Sequence, residues 1–581
     1  MAWNAGRNSV LAFPSKRATT VAVRAGLSVD LHLVEWETAL YSPIMRKLVN
    51  ESAQAFAALQ KIAREEDVVG SAHLVRISRQ YRSIMRDCQQ QLDAEAEIEA
   101  AASNAARADF FVQQSELMYK LELIWNLVEI VCIEKPPSGM ILPQLLQWIS
   151  LHFPRAEELT RDVLSEHPES PEAVGQDYWD AITLFVLQGR TDQAQKLLRL
   201  HSEFGSESFI SLDELLRKMP VYPVGGGGGA GTGGMSSVDF DFRWKHWQRE
   251  VSARIEEGDF AGDANLSALA SVLSGSEEVF SMDLVEKCES WYQWMIGKLL
   301  FAQPDVKKFE LGAAAERAIN KFGGLSRMTS LDSVLLAVME SDLAQVMHEL
   351  CTTLDNFWFP AHLLDLLHHA DEIDHAGHHR HQQQQPQQEG GSGEAALQPG
   401  PGLREFLLLD YASCLMSHRS LWQLGVLYLD NCPVQGLFRL ELLLERVPLE
   451  SERKANKVIG LAAERGLSGV VTQTCKVMGM RALKEDRIGV AMSWALRSQD
   501  VTFTTFLADR LLHEYTTSGG FASSADLLDH LGTSMVLSDR LTFLAKYREF
   551  HRYVARLAED FLSDSEHPHP TMQPVVASGQ W

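Results

Sequence analysis

Two short segments contain a histidine followed directly by a glutamate, which is the beginning of a zinc-protease motif. They are HELCT, which starts at His348, and HEYTT, which starts at His513. A zinc site of this kind needs a second histidine one helical turn later, so that both imidazoles face the same metal. Threonine occupies that position in both segments. Neither segment is therefore predicted to bind zinc.

A glycine-rich segment, PVGGGGGAGTGGMSS at 223–237, has the composition of a phosphate-binding loop but not its sequence. Such a loop follows a buried strand and ends in Gly-Lys-Ser or Gly-Lys-Thr at the start of a helix. Here the glycines lead to Met235, Ser236 and Ser237, without a lysine. The stretches GLSG and GGSG likewise do not complete the Gly-x-Ser-x-Gly motif of serine hydrolases. We interpret 223–237 as a flexible linker.

Six histidines occur in a second low-complexity segment, HHADEIDHAGHHRHQQQQPQQEGGSGEAALQPGPG at 368–402. They are His368, His369, His375, His378, His379 and His381. Imidazole is a good ligand for transition metals, but a native site also needs fixed geometry and supporting hydrogen bonds. A segment of this composition supplies neither and cannot bury enough apolar surface to fold. We expect a disordered loop without a metal site.

Two further groups of residues that could take part in catalysis or cofactor binding, the carboxylate pairs and an aromatic set, are better explained by solvent exposure and core packing. The carboxylate pairs Glu65-Glu66 and Glu277-Glu278 are expected on solvated helix faces. A set of aromatic residues at helical spacing is expected to pack in the core rather than hold a cofactor. Its members are Trp244, Trp247, Trp291, Tyr292 and Trp294. The sequence predicts no catalytic residue, no cofactor and no metal, and it supports no class of enzyme reaction.

The composition of the chain limits the kinds of partner that it is expected to bind. The chain of 581 residues has a net charge of −24, and such an acidic surface argues against direct nucleic-acid binding. Its seven cysteines form no Cys-x-x-Cys pair, as expected for free thiols in a reducing compartment. No apolar run is long enough for a bilayer, and the N-terminus lacks a secretory leader pattern. We expect a soluble intracellular protein that reaches membranes only through partners.

Helical hairpins are the elements that would position any functional surface. In VLQGRTDQAQKLL at 186–198, apolar residues at helical spacing lie on both sides of Gly189. A glycine can adopt the left-handed conformation that ends a helix, and Thr191 or Asp192 is predicted to cap the next one. Two helices joined by so few residues must run antiparallel.

The same pattern recurs along the chain. Gly466 is predicted to end one helix with Ser468 as the next cap, and Asp486 lies between a further pair. A regular amphipathic stripe follows near the end, at Phe543, Tyr547, Phe550, Val554, Leu557 and Phe561. Hairpins that recur without a fixed period predict an all-α fold. We expect an irregular solenoid of stacked hairpins, folded back on itself rather than wound as a regular superhelix.

The first 36 residues differ from the rest. SVLAF, TTVAV and SVDLHLV are short, rich in β-branched residues and partly alternating, which favours strands. Three such strands cannot form a stable sheet alone, so they are either a frayed tail or a sheet that completes a partner's sheet. The candidate strand residues are Val10, Leu11, Phe13, Val21, Val23, Val29, Leu31 and Leu33.

The predicted organisation has five segments. They are an N-terminal β segment (1–36), a helical solenoid (37–367) with the loop 223–237, a disordered insertion (368–402), a second helical part (403–562) and a disordered C-terminus (563–581).

Several segments resemble the eighty-five-kilodalton nucleoporin family in unchanged order. They include VEWETALYSPIMRKLVNES, ITLFVLQGRTDQA, REFLLLDYASCLMSHRSLWQLGVLYLDNCP and MVLSDRLTFLAKYREFHR, and the resemblance runs from about Glu35 to about Tyr553. It implies a coatomer-type solenoid with crown, trunk and tail modules. It also implies a structural scaffold subunit of the Y-shaped complex in the outer rings of the nuclear pore, required for pore assembly and hence for transport of mRNA and protein.

The resemblance also implies partners. Members of the family insert an N-terminal sheet as a blade into an open Seh1-type β-propeller and associate with other nucleoporins of the Y-shaped complex. The segment from Val10 to Val34 is the candidate blade in this chain. A vesicle-coat solenoid of the coatomer or clathrin type shares the fold and is the alternative function.

Two features depart from the family pattern. The low-complexity insertions enlarge surface loops, and EHPHPTMQPVVASGQW stands where the family continues with tail helices that dock at the hub of the Y. Hub docking by this chain is therefore in question. We expect the stripe around Phe550 to lack a packing partner and the segment 540–562 to fray.

Overall fold

The fold is known from a computed structural model of the chain. The structure describes residues 2–4, 9–12, 32–35, 42–66, 69–134, 139–221, 237–281, 283–354, 357–370, 401–518 and 532–565. These residues form 25 α-helices and three short strands, which confirms the predicted all-α fold with a short N-terminal β segment. They divide into two compact units, residues 2–12 with 32–434 and residues 435–565.

The first unit contains nineteen of the helices. In chain order they are α1 (Pro43–Glu65), α2 (Ser71–Ala101), α3 (Ala105–Val128), α4 (Leu142–His152), α5 (Arg155–Glu166), α6 (Gln176–Leu187), α7 (Thr191–Leu198), α8 (Glu207–Lys218), α9 (Ser237–Glu257), α10 (Ala264–Leu273), α11 (Glu277–Ser281), α12 (Asp283–Lys287), α13 (Trp291–Ala302), α14 (Leu311–Lys321), α15 (Ser330–Met339), α16 (Leu343–Thr353), α17 (Trp358–His369), α18 (Pro401–Ser417) and α19 (Trp422–Leu429). A single π turn, Glu129–Ile133, continues α3.

The second unit contains the remaining six helices. They are α20 (Gly436–Leu444), α21 (Glu452–Glu464), α22 (Ser468–Lys484), α23 (Ile488–Ser498), α24 (Val501–Ser518) and α25 (Asp539–Ser565). Successive helices pack on one another, and the side chains of α22 to α25 share one apolar core that includes Ala491, Leu507, Leu541 and Leu544.

The predicted helix-ending turns are confirmed. Gly189 has φ +71°, and two backbone bonds close the turn: Arg190 N–H donates to Phe185 O and Gly189 N–H donates to Val186 O. This is the Schellman arrangement, in which a left-handed residue satisfies the last carbonyls of a helix. Gly466 (φ +71°) and Asp486 (φ +57°) end α21 and α22 with the same pair of bonds.

The predicted side-chain caps are wrong. Helix α7 begins at Thr191 itself, so its cap position is Arg190, and no side chain bonds the first turn. Helix α22 begins at Ser468 after Leu467 in the same way. The turn is so short that the residue after the glycine already takes the cap position, which leaves the hydroxyl inside the helix.

The first unit folds back on itself, as predicted. Helix α1 packs against α17 and α19, which follow it by about 290 and about 360 residues, and α17 also contacts α2. Between these contacts the chain runs through further helix pairs, of which α13 packs against both α4 and α6. Because the chain returns to its beginning, α1 is enclosed by helices from distant parts of the sequence.

The three strands form a small antiparallel sheet in the order β1 (Ala2–Asn4), β2 (Ser9–Ala12), β3 (His32–Glu35). Val10 lies opposite Val34, and Leu11 lies opposite Leu33. Strand β3 lies against α18, so the sheet belongs to the first unit.

Candidate functional site

The N-terminal sheet contains three of the eight candidate strand residues. Val10 and Leu11 lie in β2, and Leu33 lies in β3. The other five, Phe13, Val21, Val23, Val29 and Leu31, lie outside the described residues, and the sequence did not indicate β1. Each strand has only three or four residues, and a sheet this small needs further packing or pairing for stability.

The two His-Glu segments lie on helices in ordinary helical surroundings. Exposed His348 belongs to α16, where its carbonyl accepts a hydrogen bond from the Thr352 hydroxyl at 2.9 Å. The carbonyl of His513 in α24 likewise accepts from the hydroxyls of Thr516 and Thr517, at 2.8 and 2.9 Å. The threonines that stand where zinc would need a histidine therefore bond the helix backbone.

The low-complexity segments lie almost wholly outside the described residues. Of 223–237 only Ser237, the first residue of α9, is described, and of the histidine cluster only His368 and His369, at the end of α17. Within the described ranges, no three His, Cys, Asp or Glu side chains are placed to hold a metal. No helix among them combines the length and apolar character of a membrane span.

The aromatic set at helical spacing lies in the core. Trp244, Trp247 and Trp294 are at most 3% exposed. The indole N–H of Trp247 donates to Leu215 O, and that of Trp294 donates to Phe280 O, each at 2.9 Å. These hydrogen bonds join α9 to α8 and α13 to α11, which fits the predicted packing role.

The cysteines are free thiols, and six of the seven are buried. Burial raises the pKa of the Cys88 thiol and that of the Cys288 thiol to about 12 each. Both remain protonated at neutral pH and are poor nucleophiles.

A buried polar cluster holds the folded-back end of the first unit together, and we call it the clamp. Asp365 on α17 is 1% exposed. Its Oδ1 accepts from Nε and Nη2 of Arg404 on α18 at 2.7 and 2.6 Å, and its Oδ2 accepts from Nε2 of Gln60 on α1 at 2.8 Å. Helix α18 is the next described helix after α17, whereas Gln60 lies 305 positions before Asp365. The clamp therefore joins α1 to a pair of consecutive helices that the fold-back brings close to it.

A buried aromatic cluster lies beside the clamp. His362 on α17 is 1% exposed, and its two ring nitrogens lie 2.6 Å from Trp358 O and 2.8 Å from the Tyr428 hydroxyl on α19. The Trp358 indole donates to the Ser52 hydroxyl on α1 at 3.1 Å. Burial lowers the pKa of His362 to about 4, so the ring is neutral at pH 7.

A second buried polar cluster joins α2, α3, the π turn and α4. Arg82 on α2 donates to Glu122 at 2.9 Å and to Glu129 at 3.2 Å, and His152 Nε2 lies 3.2 Å from Glu122 Oε2. Burial raises the pKa of Glu129, against the opposing effects of its bond from Ser78 and of Arg82. Burial also lowers the pKa of His152 to about 4, and this outweighs the nearby Glu122 carboxylate.

An apolar groove lies where the α6–α7 turn meets α4, α9 and α13. It has a volume of about 460 Å³ and is lined by residues that include Gly189, Arg190, Leu146, Phe240 and Leu300. Its described lining residues include no Asp, Glu, His or Cys side chain.

One exposed apolar surface lies on α25. Five side chains are 40–64% exposed, and we call them the α25 stripe: Phe543, Phe550, Tyr553, Val554 and Leu557. The amphipathic pattern predicted this helix, but the pattern alone did not show which part of the stripe neighbouring helices would cover.

The comparisons with known proteins agree with this architecture. A family model described as Nup85 Nucleoporin matches residues 30–563. The chain is similar to Nuclear pore complex protein Nup85 of Danio rerio, 39% identical over 528 residues that cover 90% of this chain and 76% of that protein. Its counterpart in Homo sapiens is 37% identical over 530 residues, covering 90% and 75%. Nuclear pore complex protein Nup75 of Drosophila melanogaster is 31% identical over 541 residues, covering 93% and 76%.

Proposed function

Since the chain belongs to the Nup85 nucleoporin family, we propose that it is a structural scaffold of the nuclear pore complex, in the Y-shaped outer-ring assembly. It acts at the nuclear envelope together with other nucleoporins. Its role is mechanical rather than catalytic, because stacked hairpins supply surfaces for large contacts with other subunits. Through pore assembly it supports the transport of mRNA and protein.

The observation that carries this proposal is the family match from residue 30 to residue 563, which spans helices of both units. The stacked helices fit a scaffold, and the clamp around Asp365 joins α1 to α17, 305 positions later, and to α18, 344 positions later. The relatives named above are nuclear pore complex proteins, which favours the pore over a vesicle coat.

We further propose that the N-terminal sheet is a blade donated to an open Seh1-type propeller. Its three short strands carry Val10, Leu11 and Leu33, and propeller blades are small antiparallel sheets of about four strands. Strand addition would supply main-chain hydrogen bonds for affinity and alternate side chains for specificity. The contact between β3 and α18 would couple the blade to the first helical unit.

The test is co-purification of the full chain with a Seh1-type propeller and with other pore nucleoporins. Removal of residues 1–36 should abolish recovery of the propeller, and Val10→Pro should reduce it strongly, because proline removes a ladder donor from the central strand. Leu437→Asp, at a 55% exposed position of the second unit, is the matched control and should change nothing.

The two levels of the proposal fail separately. Undiminished propeller binding after removal of residues 1–36 would reject the blade but not the scaffold. Failure to recover any pore nucleoporin with the full chain would reject the scaffold itself.

A further inference from the structure

The groove at the α6–α7 turn is lined by segments that are far apart in the sequence. Leu146 belongs to α4, Phe240 and Trp244 belong to α9, and Leu300 belongs to α13. The residues that follow α8, from Met219 to Val221, complete this apolar lining. Its volume of about 460 Å³ lies within the range of ligand pockets in proteins. The groove is therefore large enough to take part of another molecule.

Two polar atoms of the lining have no hydrogen-bond partner. One is the acceptor Oε1 of Gln188, a residue that is 8% exposed, and the other is the donor Nε1 of Trp244, which is 1% exposed. The amide nitrogen of Gln188 donates to Phe153 O at 3.4 Å, so the oxygen alone is left over. By contrast, the indole N–H groups of Trp247 and Trp294 both reach backbone carbonyls. Buried polar atoms are nearly always paired, so an unpaired acceptor and an unpaired donor in one groove indicate missing partners.

The groove offers no free charge to a ligand. Arg190 is the one charged residue among its described lining residues. Its guanidinium bonds the carboxylate of Glu157 and lies 5.0 Å from the ring centre of Phe185. A charged ligand would lose its hydration here without gaining a counter-ion, because the arginine is already paired. A neutral ligand with one acceptor, one donor and apolar groups matches the lining.

An extended peptide has this chemistry. Each residue other than proline brings one N–H donor and one C=O acceptor, and apolar side chains of the peptide would fill the space between the polar atoms. Solvent does not reach Oε1 of Gln188 or Nε1 of Trp244 in the free chain. Pairing therefore requires a change of rotamer in the lining, which is common when interfaces form. Val221, which is 65% exposed, has room to move in this way.

We propose that this groove binds an apolar stretch of a partner protein in extended conformation. A backbone carbonyl of the partner accepts from Nε1 of Trp244, and a backbone N–H donates to Oε1 of Gln188. The contact is small and therefore weak by itself, as expected for one of several contacts within a large assembly. The inference is independent of the propeller contact, which uses residues 1–36.

The test is a titration of the full chain with the blocked peptide acetyl-Gly-Leu-Val-Leu-Gly-amide, followed by ligand-observed NMR. The expected dissociation constant is on the order of 0.1–1 mM. A second peptide carries methyl groups in place of its three central amide hydrogens, so it keeps the apolar side chains but cannot donate to Gln188. It should bind about tenfold more weakly, because it leaves the buried acceptor unpaired.

The variant Gln188→Met removes the acceptor at nearly constant side-chain size. It should bind both peptides with equal affinity to within about twofold, because the comparison of two peptides on two chains isolates the bond to Oε1. Gln345→Met, at an exposed position of α16 outside the lining, is the matched control and should keep the tenfold difference. Leu146→Glu places a charge in the groove and should weaken binding of the first peptide at least tenfold.

Three results would overturn the proposal. One is the absence of binding of the first peptide up to about 5 mM. Another is a tenfold preference for the first peptide that persists in Gln188→Met, which would locate the contact elsewhere. The third is binding that occurs only after residues 223–236 are replaced by a Gly-Ser linker of equal length, which would make this segment of the chain the occupant of the groove.

Discussion

Replacing Arg404 by leucine should open the fold-back of the first unit. The guanidinium bonds Oδ1 of Asp365 at 2.6 and 2.7 Å, and the two side chains are 9% and 1% exposed. His369 Nε2 lies farther from the same oxygen, at 3.8 Å. Without Arg404 the carboxylate remains buried with Gln60 as its hydrogen-bond donor. Removal of one partner of a buried ion pair costs about 3–5 kcal/mol.

Hydrogen exchange measured by mass spectrometry is the appropriate assay, because it reports on each helix separately in a chain with two compact units. A loss of 3 kcal/mol or more corresponds to faster exchange by more than about 100-fold. We expect this increase in α1 and α17, whose packing the clamp secures. Helices α22 to α25 lie in the second unit and should keep their protection.

The matched control is Arg199→Leu, which removes an exposed ion pair. Arg199 contacts Asp213 at 3.1 Å with 51% of its side chain exposed, and such pairs contribute about 0–1 kcal/mol. A double variant that also replaces Asp365 by leucine should recover much of the loss, because no unpaired charge remains buried. If Arg404→Leu and Arg199→Leu had equal effects, or if exchange in α1 were unchanged in Arg404→Leu, the clamp would not secure the fold-back.

Two further perturbations test the packing and the buried histidines. Gly425→Ala should destabilise the first unit by about 1–3 kcal/mol, since the new Cβ would lie 2.7 Å from Met416 Cγ. Gly460→Ala should stabilise its helix by about 0.5–1 kcal/mol, because no atom lies within 4 Å of the new Cβ. Thermal unfolding measures both changes. Burial holds the pKa values of His152 and His362 at about 4, below the value near 6.5 of unfolded histidine, so the unfolded chain binds more protons between these values. The free energy of unfolding should therefore fall as the pH drops from about 6.5 to 4. In a chain carrying His362→Asn, the free energy of unfolding should decrease less over this pH range. Denaturant titrations at several pH values measure this decrease, and an equal decrease in both chains would contradict the lowered pKa of His362.

The sequence predicted the local elements because their causes are local. Gly189, Gly466 and Asp486 end helices through their own backbone conformation, and that preference is visible in one residue and its neighbours. The side-chain caps were predicted wrongly at Thr191 and Ser468, because each helix begins one residue earlier than expected. A helix start depends on where the preceding turn ends, and a shift by one residue leaves the spacing of the apolar residues unchanged.

The contacts that close the fold could not be predicted in the same way. Gln60, Asp365 and Arg404 are ordinary polar residues of amphipathic helices, and nothing in their neighbourhoods links them across three hundred positions. The exposure of Phe550 was expected only because the chain resembles longer family members. The spacing of the apolar residues is the same whether neighbouring helices cover the stripe or leave it exposed. The assignment of the N-terminal strands to a propeller stays a prediction.

Imaging of a fluorescently tagged full chain in cells shows whether the protein is part of the nuclear pore. We expect a continuous rim at the nuclear envelope that coincides with other pore nucleoporins, because a scaffold subunit is a fixed part of their assembly. Golgi-like puncta, or a diffuse signal at endogenous expression without any rim, would contradict it.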